Sequence, residues 1–146
     1  MDAFRDLYQQ LIIDHNKNPN NYYELKNANH VAEGHNPLCG DEIIIYIVIN
    51  NDSIDDIAFT GSGCAISKAS ASIMTNELKG LKIKEANELF NKFHLLATEG
   101  NHLDSLGKLS VLAGVHKYPS RVKCATLAWH TFQGAINNSN EIIKTE

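Results

Sequence analysis

The sequence predicts an α+β domain in which a small antiparallel sheet packs against several helices. Two observations carry this. The β-branched and aromatic run "EIIIYIVI", Glu42 to Ile49, is followed by the turn-like "NNDS" and then by "IDDIAFTGSG", in which Ile57 and Phe59 share a face; together they read as an antiparallel hairpin. On either side of it lie segments whose apolar residues recur with the helical period.

Taken in order, Phe4, Leu7, Tyr8, Leu11 and Ile12 mark one face of an amphipathic helix, with Asp2 placed to cap its start and Pro19 beyond its end. Residues 20 to 41 are rich in Asn and contain Gly34, Pro37 and Gly40, which reads as loop with one short strand near Val31. The unbroken apolar run of the first hairpin strand implies cover on both faces, with helices on at least one. A helix starts at or just before Cys64; its Ala/Ser-rich face allows close backbone approach, and Gly80 suits its C-cap. Ala86, Leu89, Phe90, Phe93 and Leu96 give a further helical period. Residues 98 to 119, punctuated by Gly100, Gly107, Gly114 and Pro119, read as a connection with one or two helical turns. Pro119 opens a last helix marked by Ala125, Ala128, Trp129, Phe132 and Ile136, and residues 138–146 read as a flexible, fraying tail.

At 146 residues the chain fits one domain, over residues 1–146, with no internal repeat and no need of disulfide support. A net charge of -4 leaves no basic field for a phosphate backbone, so nucleic acid is excluded as a partner. The acids Asp2, Asp6 and Asp14 interrupt any signal-peptide core, and no run approaches the roughly 18 apolar residues of a membrane span. A cytoplasmic location and no membrane are therefore expected. In a reducing compartment Cys39, Cys64 and Cys124 read as thiols or metal ligands.

Each cysteine sits at an element boundary: Cys39 in the turn before a strand, Cys64 at a helix start, Cys124 in the first turns of the last helix. A helix N-terminus favours the thiolate, and Arg121 and Lys123 beside Cys124 push the same way. With Asp41, three thiolates would complete a four-donor site suited to zinc, or to iron with sulfide. Gly40 lets one tight turn present both Cys39 and Asp41. Spacing alone leaves other readings open. Separations of 25 residues (64 − 39) and 60 residues (124 − 64) contain no local Cys-x-x-Cys pair, and free cysteines are often small buried hydrophobes. Asp41 could cap its turn, and Arg121 could be a solvated helix-start residue. Gly61 and Gly63 present Cys64 rather than a phosphate, since no Gly-Lys-Ser/Thr follows. His35 is a substitute ligand candidate, and His116 and His130 are the candidate bases if the chain were a Cys-His thiol enzyme.

The words "NPLCGDEI", "FTGSGCAISKASASIMTNELKG" and "LAGVHKYPSRVKCATLAWHTF" resemble the iron-sulfur cluster assembly family of NifU N-terminal domains, IscU and SufU, from the first helix to Phe132. The resemblance implies a SufE/NifU-like α+β fold and a metal and cluster site formed by Cys39, Asp41, Cys64 and Cys124. Lys123 stands where IscU-type members have a histidine, and the connection over about residues 98 to 119 is long, as in SufU-type members. The chain therefore resembles the SufU branch. That implies a zinc-dependent acceptor of persulfide sulfur from a PLP-dependent, SufS-like cysteine desulfurase, feeding a downstream scaffold or apo-protein. The alternative is an IscU-like scaffold carrying a [2Fe-2S] cluster, so the chain is either sulfurtransferase-like or non-enzymatic. In the mechanism that follows, a desulfurase ligand displaces one cysteine from zinc and that thiol attacks the persulfide; Cys39 is the expected acceptor, Cys124 the runner-up, and Arg121 an assisting cation. A purely structural zinc site is a third reading, against which a labile aspartate donor argues.

Overall fold

The computed structural model describes residues 2–100, 104–138 and 141–145, and of residues 2–8 and 104–105 the backbone alone. The chain runs α1 (Asp2–Lys17), β1 (His30–Asn36), β2 (Asp41–Asn50), β3 (Ser53–Ser62), α2 (Ala65–Leu78), α3 (Ile83–Glu99), a 3₁₀ segment (Asp104–Lys117), α4 (Pro119–Ile136) and β4 (Ile143–Lys144). The sheet has the order β3-β2-β1-β4. β2 is antiparallel to both β1 and β3, as the hairpin pattern predicts, while β4 lies parallel to β1 and makes the sheet mixed.

The β2–β3 connection is the two-residue turn Asn51-Asp52, both with positive φ (51° and 63°). That geometry matches the twist of the flanking strands, and Asn and Asp tolerate it better than most residues. β1 is longer than the short strand expected near Val31. Its residues Ala32, Gly34 and Asn36 face inward and alternate with Glu33 and half-buried His35; pairing along β2, from His30 opposite Ile47 to Asn36 opposite Asp41, overrides a weak local propensity.

Helices cover one face of the sheet. Ile43, Ile45, Ile47, Ile57 and Phe59 meet Ile73, Met74, Phe93, Trp129 and Phe132 in one core, and the rings of Phe93 and Trp129 stack with centroids 4.5 Å apart. On the other face a smaller cluster of Leu25, Val48 and Ala58 is roofed by the segment before β1, so the run in β2 has cover on both sides as expected. At the start of the chain, the Asp2 cap and the side chains of Phe4, Leu7 and Tyr8 lie outside the described residues. Farther along α1, Ile12 packs on the core and His15 is buried beside Ser72, with Nδ1 2.7 Å from its hydroxyl.

Two further regions differ from the sequence expectation. In place of one or two helical turns, 3₁₀ turns extend over Asp104–Lys117, kinked at Gly107 where φ is +53°. Leu106, Leu109, Leu112 and Val115, all buried, recur every three residues, which is the 3₁₀ repeat and not the α repeat. The predicted fraying tail instead adds β4: Gly34 pairs with Ile143 and His35 with Lys144, and the Thr145 amide donates to the His35 carbonyl at 3.1 Å. The outer edge of β1 offers unpaired backbone groups, and the returning chain satisfies some of them. Among the described residues no helix is long and apolar enough to cross a membrane.

α4 lies close against its neighbours on two sides. On one, the Ser70 hydroxyl of α2 donates to the Ala125 carbonyl at 2.6 Å and accepts from the Trp129 indole at 3.2 Å, the close approach that the Ala/Ser face predicts. On the other, Gly34 of β1 leaves so little room that an added Cβ would overlap Thr131 Oγ1. Gly34→Ala is expected to destabilise the metal-free protein by about 1–3 kcal/mol through overpacking. Denaturant titration checks this, and Gly34→Ala/Thr131→Ala should recover much of the loss.

Candidate metal centre

The centre is assembled by backbone register before any side chain is considered. Asn36 closes β1 and stands opposite Asp41, the first residue of β2; Pro37 to Gly40 form the loop between them. The Asn36 carbonyl accepts the amides of Cys39 at 3.3 Å and Gly40 at 2.9 Å, and Gly40 takes φ +73°. This corner projects Cys39 outward while Asp41 turns inward. One pair along the ladder Glu42 faces Ser62, so β3 ends beside Asp41 and the chain continues through Gly63 to Cys64. Cys64 is the N-cap of α2, its sulfur accepting the Ser67 amide at 3.4 Å. Cys124 arrives from α4, anchored against α2 by the Ser70–Ala125 bond next to it.

The ligating atoms of Cys39, Asp41 and Cys124 lie within 4.8 Å of one another. Cys39 is exposed, whereas Asp41 and Cys124 are buried. The Cys124 thiol donates to Cys39 Sγ at 3.2 Å. One Asp41 oxygen accepts the Cys64 amide at 2.8 Å; the other accepts the Asn36 side-chain amide at 3.2 Å, and that same amide reaches Cys124 Sγ at 3.5 Å. The group thus holds three of the four residues named from sequence, with Cys64 joined to it through its backbone N–H and a thiol contact to Cys124.

That thiol contact pushes the Cys64 pKa down to about 7, with the helix N–H groups of Ser67 and Ile66 assisting against burial and the Asp41 charge. The same contact, followed by burial, Cys39 and the Asp41 charge, drives Cys124 the other way, far above an ordinary thiol. Arg121 is exposed and Lys123 half-buried; the lowering of Cys124 expected from them is outweighed by the Cys64 contact, burial, the Cys39 contact and the Asp41 charge, all of which raise it. Two thiols and a carboxylate within 4.8 Å of one another, buried on one side and open at Cys39, are a donor set that suits zinc. Zinc would also favour deprotonation of Cys124, which the Cys64 contact and burial otherwise keep neutral.

The histidines go elsewhere. His35 pairs with Glu33 at 2.6 Å, His116 donates to the Ala113 carbonyl at 2.7 Å, and His130 packs on Phe90 and His94. Their hydrogen bonds and ring contacts give no support to a Cys-His thiol enzyme. Sequence reasoning missed Asn36 and the full role of Gly63. An Asn before Pro reads as a turn residue, and only its burial reveals otherwise. A Cβ on Gly63 would meet Asp41 Oδ1 at 2.4 Å, so that glycine lets the carboxylate approach the start of α2.

Residues 7–142 match the NifU-like N terminal domain family. The zinc-dependent sulfurtransferase SufU of Bacillus subtilis is 41% identical over 132 residues, 89% of each chain. The iron-sulfur cluster assembly scaffold protein IscU of Streptococcus pyogenes serotype M1 is 40% identical over 141 residues, 95% of this chain and 88% of that one. A crystal structure from Fervidobacterium islandicum, described as a candidate iron-sulfur cluster assembly scaffold for the SUF system, superposes with a TM-score of 0.81 at 36% identity, over 87% of this chain and 94% of that one.

In metal-free protein, alkylation of Cys64 should rise with a midpoint near pH 7 while Cys124 stays unmodified to much higher pH. Because the folded-state pKa of Cys64 lies below its unfolded value of 9.0, its stabilising contribution is complete above pH 9 and disappears as pH falls through about 7. Mass spectrometry of iodoacetamide-treated protein across that range reads the order directly.

Proposed function

The chain belongs to the NifU-like N-terminal domain family, and from that premise we propose that it is a SufU-type, zinc-dependent acceptor of persulfide sulfur from a PLP-dependent cysteine desulfurase. It acts as a single domain in the reducing cytoplasm, and the sulfur it accepts goes on to a scaffold or apo-protein for cluster assembly. One observation carries the reading: Cys39 stands exposed on a glycine-hinged turn while its two partner donors, Asp41 and Cys124, are buried. A closed structural site has no reason to expose one thiol. An acceptor must expose one.

Zinc bound by Cys39, Asp41, Cys64 and Cys124 supplies charge that keeps the thiols deprotonated and ties their segments together. The chain's own residues do the rest. Cys39, as thiolate, attacks the terminal sulfur of the donor persulfide R–S–SH; the donor's S–S bond breaks, R–S⁻ leaves with the electron pair, and Cys39 becomes Cys–S–SH. No external oxidant or reductant enters. Gly40 provides the backbone freedom for Cys39 to reach out, and Arg121, exposed on the first turn of α4, offers a guanidinium to the incoming anion. Leu38 beside Cys39 is strongly exposed, at 64%, and offers the donor enzyme an apolar contact next to the acceptor thiol.

The test begins with metal and acid-labile sulfide analysis of protein purified anaerobically. About one zinc per chain without sulfide is expected; equal amounts of iron and sulfide would replace this reading with that of a [2Fe-2S] scaffold, the IscU relative being named an iron-sulfur cluster assembly scaffold. Sulfur transfer from a desulfurase charged with labelled cysteine then assigns the residues. Cys39→Ser should abolish uptake, and Arg121→Ala should slow it by roughly threefold to tenfold through lost charge complementarity without changing metal content. Full uptake by Cys39→Ser would sink the acceptor assignment.

A further inference from the structure

We propose that Asn36 is the positioning residue of this centre: its side-chain amide ties Asp41 to Cys124, so that this pair keeps its geometry while Cys39 moves. The inference rests on the acceptor reading above, because only an acceptor needs one donor to travel and the others to stay.

Asn36 is wholly buried, with no exposed surface. Its amide nitrogen carries two hydrogens and serves two candidate donors on different elements, Asp41 Oδ2 at 3.2 Å and Cys124 Sγ at 3.5 Å. The oxygen of the same amide is buried without a hydrogen-bond partner. Reversing the amide would set that oxygen against a carboxylate and a sulfur, both acceptors, so the nitrogen must face them. An orphaned buried carbonyl costs stability, and a leucine of similar volume would avoid the cost. What the asparagine adds is therefore its pair of donated bonds.

Those bonds separate the donors into two kinds. Asp41 is held at both oxygens, by Asn36 and by the Cys64 amide at 2.8 Å. Cys124 is held by Asn36 and by its helix. Cys39 is exposed, and its sulfur accepts the Cys124 thiol at 3.2 Å. Asn36 also accepts the Cys39 and Gly40 amides through its backbone carbonyl. One residue thus anchors both the mobile corner and the fixed pair: its backbone carries the hinge while its side chain carries the base on which the hinge turns.

The test compares Asn36→Leu, which removes the donor at nearly constant volume, with Asn36→Ala, which removes donor and volume together. Full-length protein loaded with one equivalent of zinc is mixed with a chromophoric chelator, and a parallel sample is treated briefly with N-ethylmaleimide before peptide mapping. Both variants should release zinc roughly 10- to 100-fold faster than the unsubstituted protein, the range typical for losing a partner that orients a metal ligand. Modification confined to Cys39 in the unsubstituted protein should spread to Cys124 in both. Zinc release at the original rate from Asn36→Leu, with Asn36→Ala fast, would show that Asn36 only fills space and would overturn the proposal; original rates in both variants would do the same. If neither variant folds by circular dichroism, the Asn36 side-chain amide protons of the unsubstituted zinc protein decide: slow solvent exchange supports the tie, and exchange at the rate of a free amide overturns it. If the unsubstituted protein takes up no sulfur yet the variants release zinc faster, the acceptor reading falls and the positioning role stands.

Discussion

A carboxylate with 1% of its residue exposed, at the first position of a strand, is the constraint around which this molecule is arranged. Removing Asp41 from water is costly unless its charge is met by donors or a cation. The donors come from two other places in the chain, the Cys64 amide at the start of α2 and the Asn36 side chain at the end of β1. For both to reach it, β1 and β2 must pair in the register that sets Asn36 opposite Asp41, and β3 must end level with Glu42. Gly63 must also lack a side chain, since the carboxylate occupies that volume. Two hairpin registers, a helix start and a glycine thus converge on one buried carboxylate.

The fourth segment, α4, joins the same centre to the hydrophobic core. Its first half brings Cys124 to the polar corner, and its second half carries Trp129 and Phe132 into the core. Small residues make this possible on both sides, Ser70 and its neighbours on α2 and Gly34 on β1. The helix is positioned by packing along its whole length, and the thiol near its start inherits that rigidity. Cys39, on a four-residue loop with Leu38 and Gly40 exposed beside it, inherits none. The contrast between a helix-borne and a loop-borne donor is the physical basis for assigning them different work.

Much of this was legible in the sequence because the signals were local. The β2–β3 hairpin followed from a β-branched run, a two-residue turn and a second alternating run, and three helices followed from their apolar periods. The cysteines and Asp41 were legible through motif words; of the four residues those words name, the structure brings the ligating atoms of Cys39, Asp41 and Cys124 together, and Cys64 lies outside that group. What escaped was non-local. β1 contains Glu33, Gly34 and His35, and is a strand because β2 needs a partner. β4 is two residues long and exists because the edge of β1 has unpaired groups. The 3₁₀ segment hid behind a period of three that α-helical templates do not count. Asn36 hid for a related reason: its importance lies in a contact with Cys124, 88 residues away.

That separation has a consequence during synthesis. The proposed donors sit at 39, 41, 64 and 124, so a chain released from the ribosome only as far as α3 would present two of the three thiols and the carboxylate but could not close the centre. Its first hairpin can form early from contacts between neighbouring segments, yet the pocket lacks its buried sulfur until α4 has emerged and docked. A metal ion that favours the complete donor set therefore stabilises the finished domain over every shorter intermediate. On the zinc reading, the wide spacing that weakened the motif on paper would make metal capture a signal that the whole chain has folded.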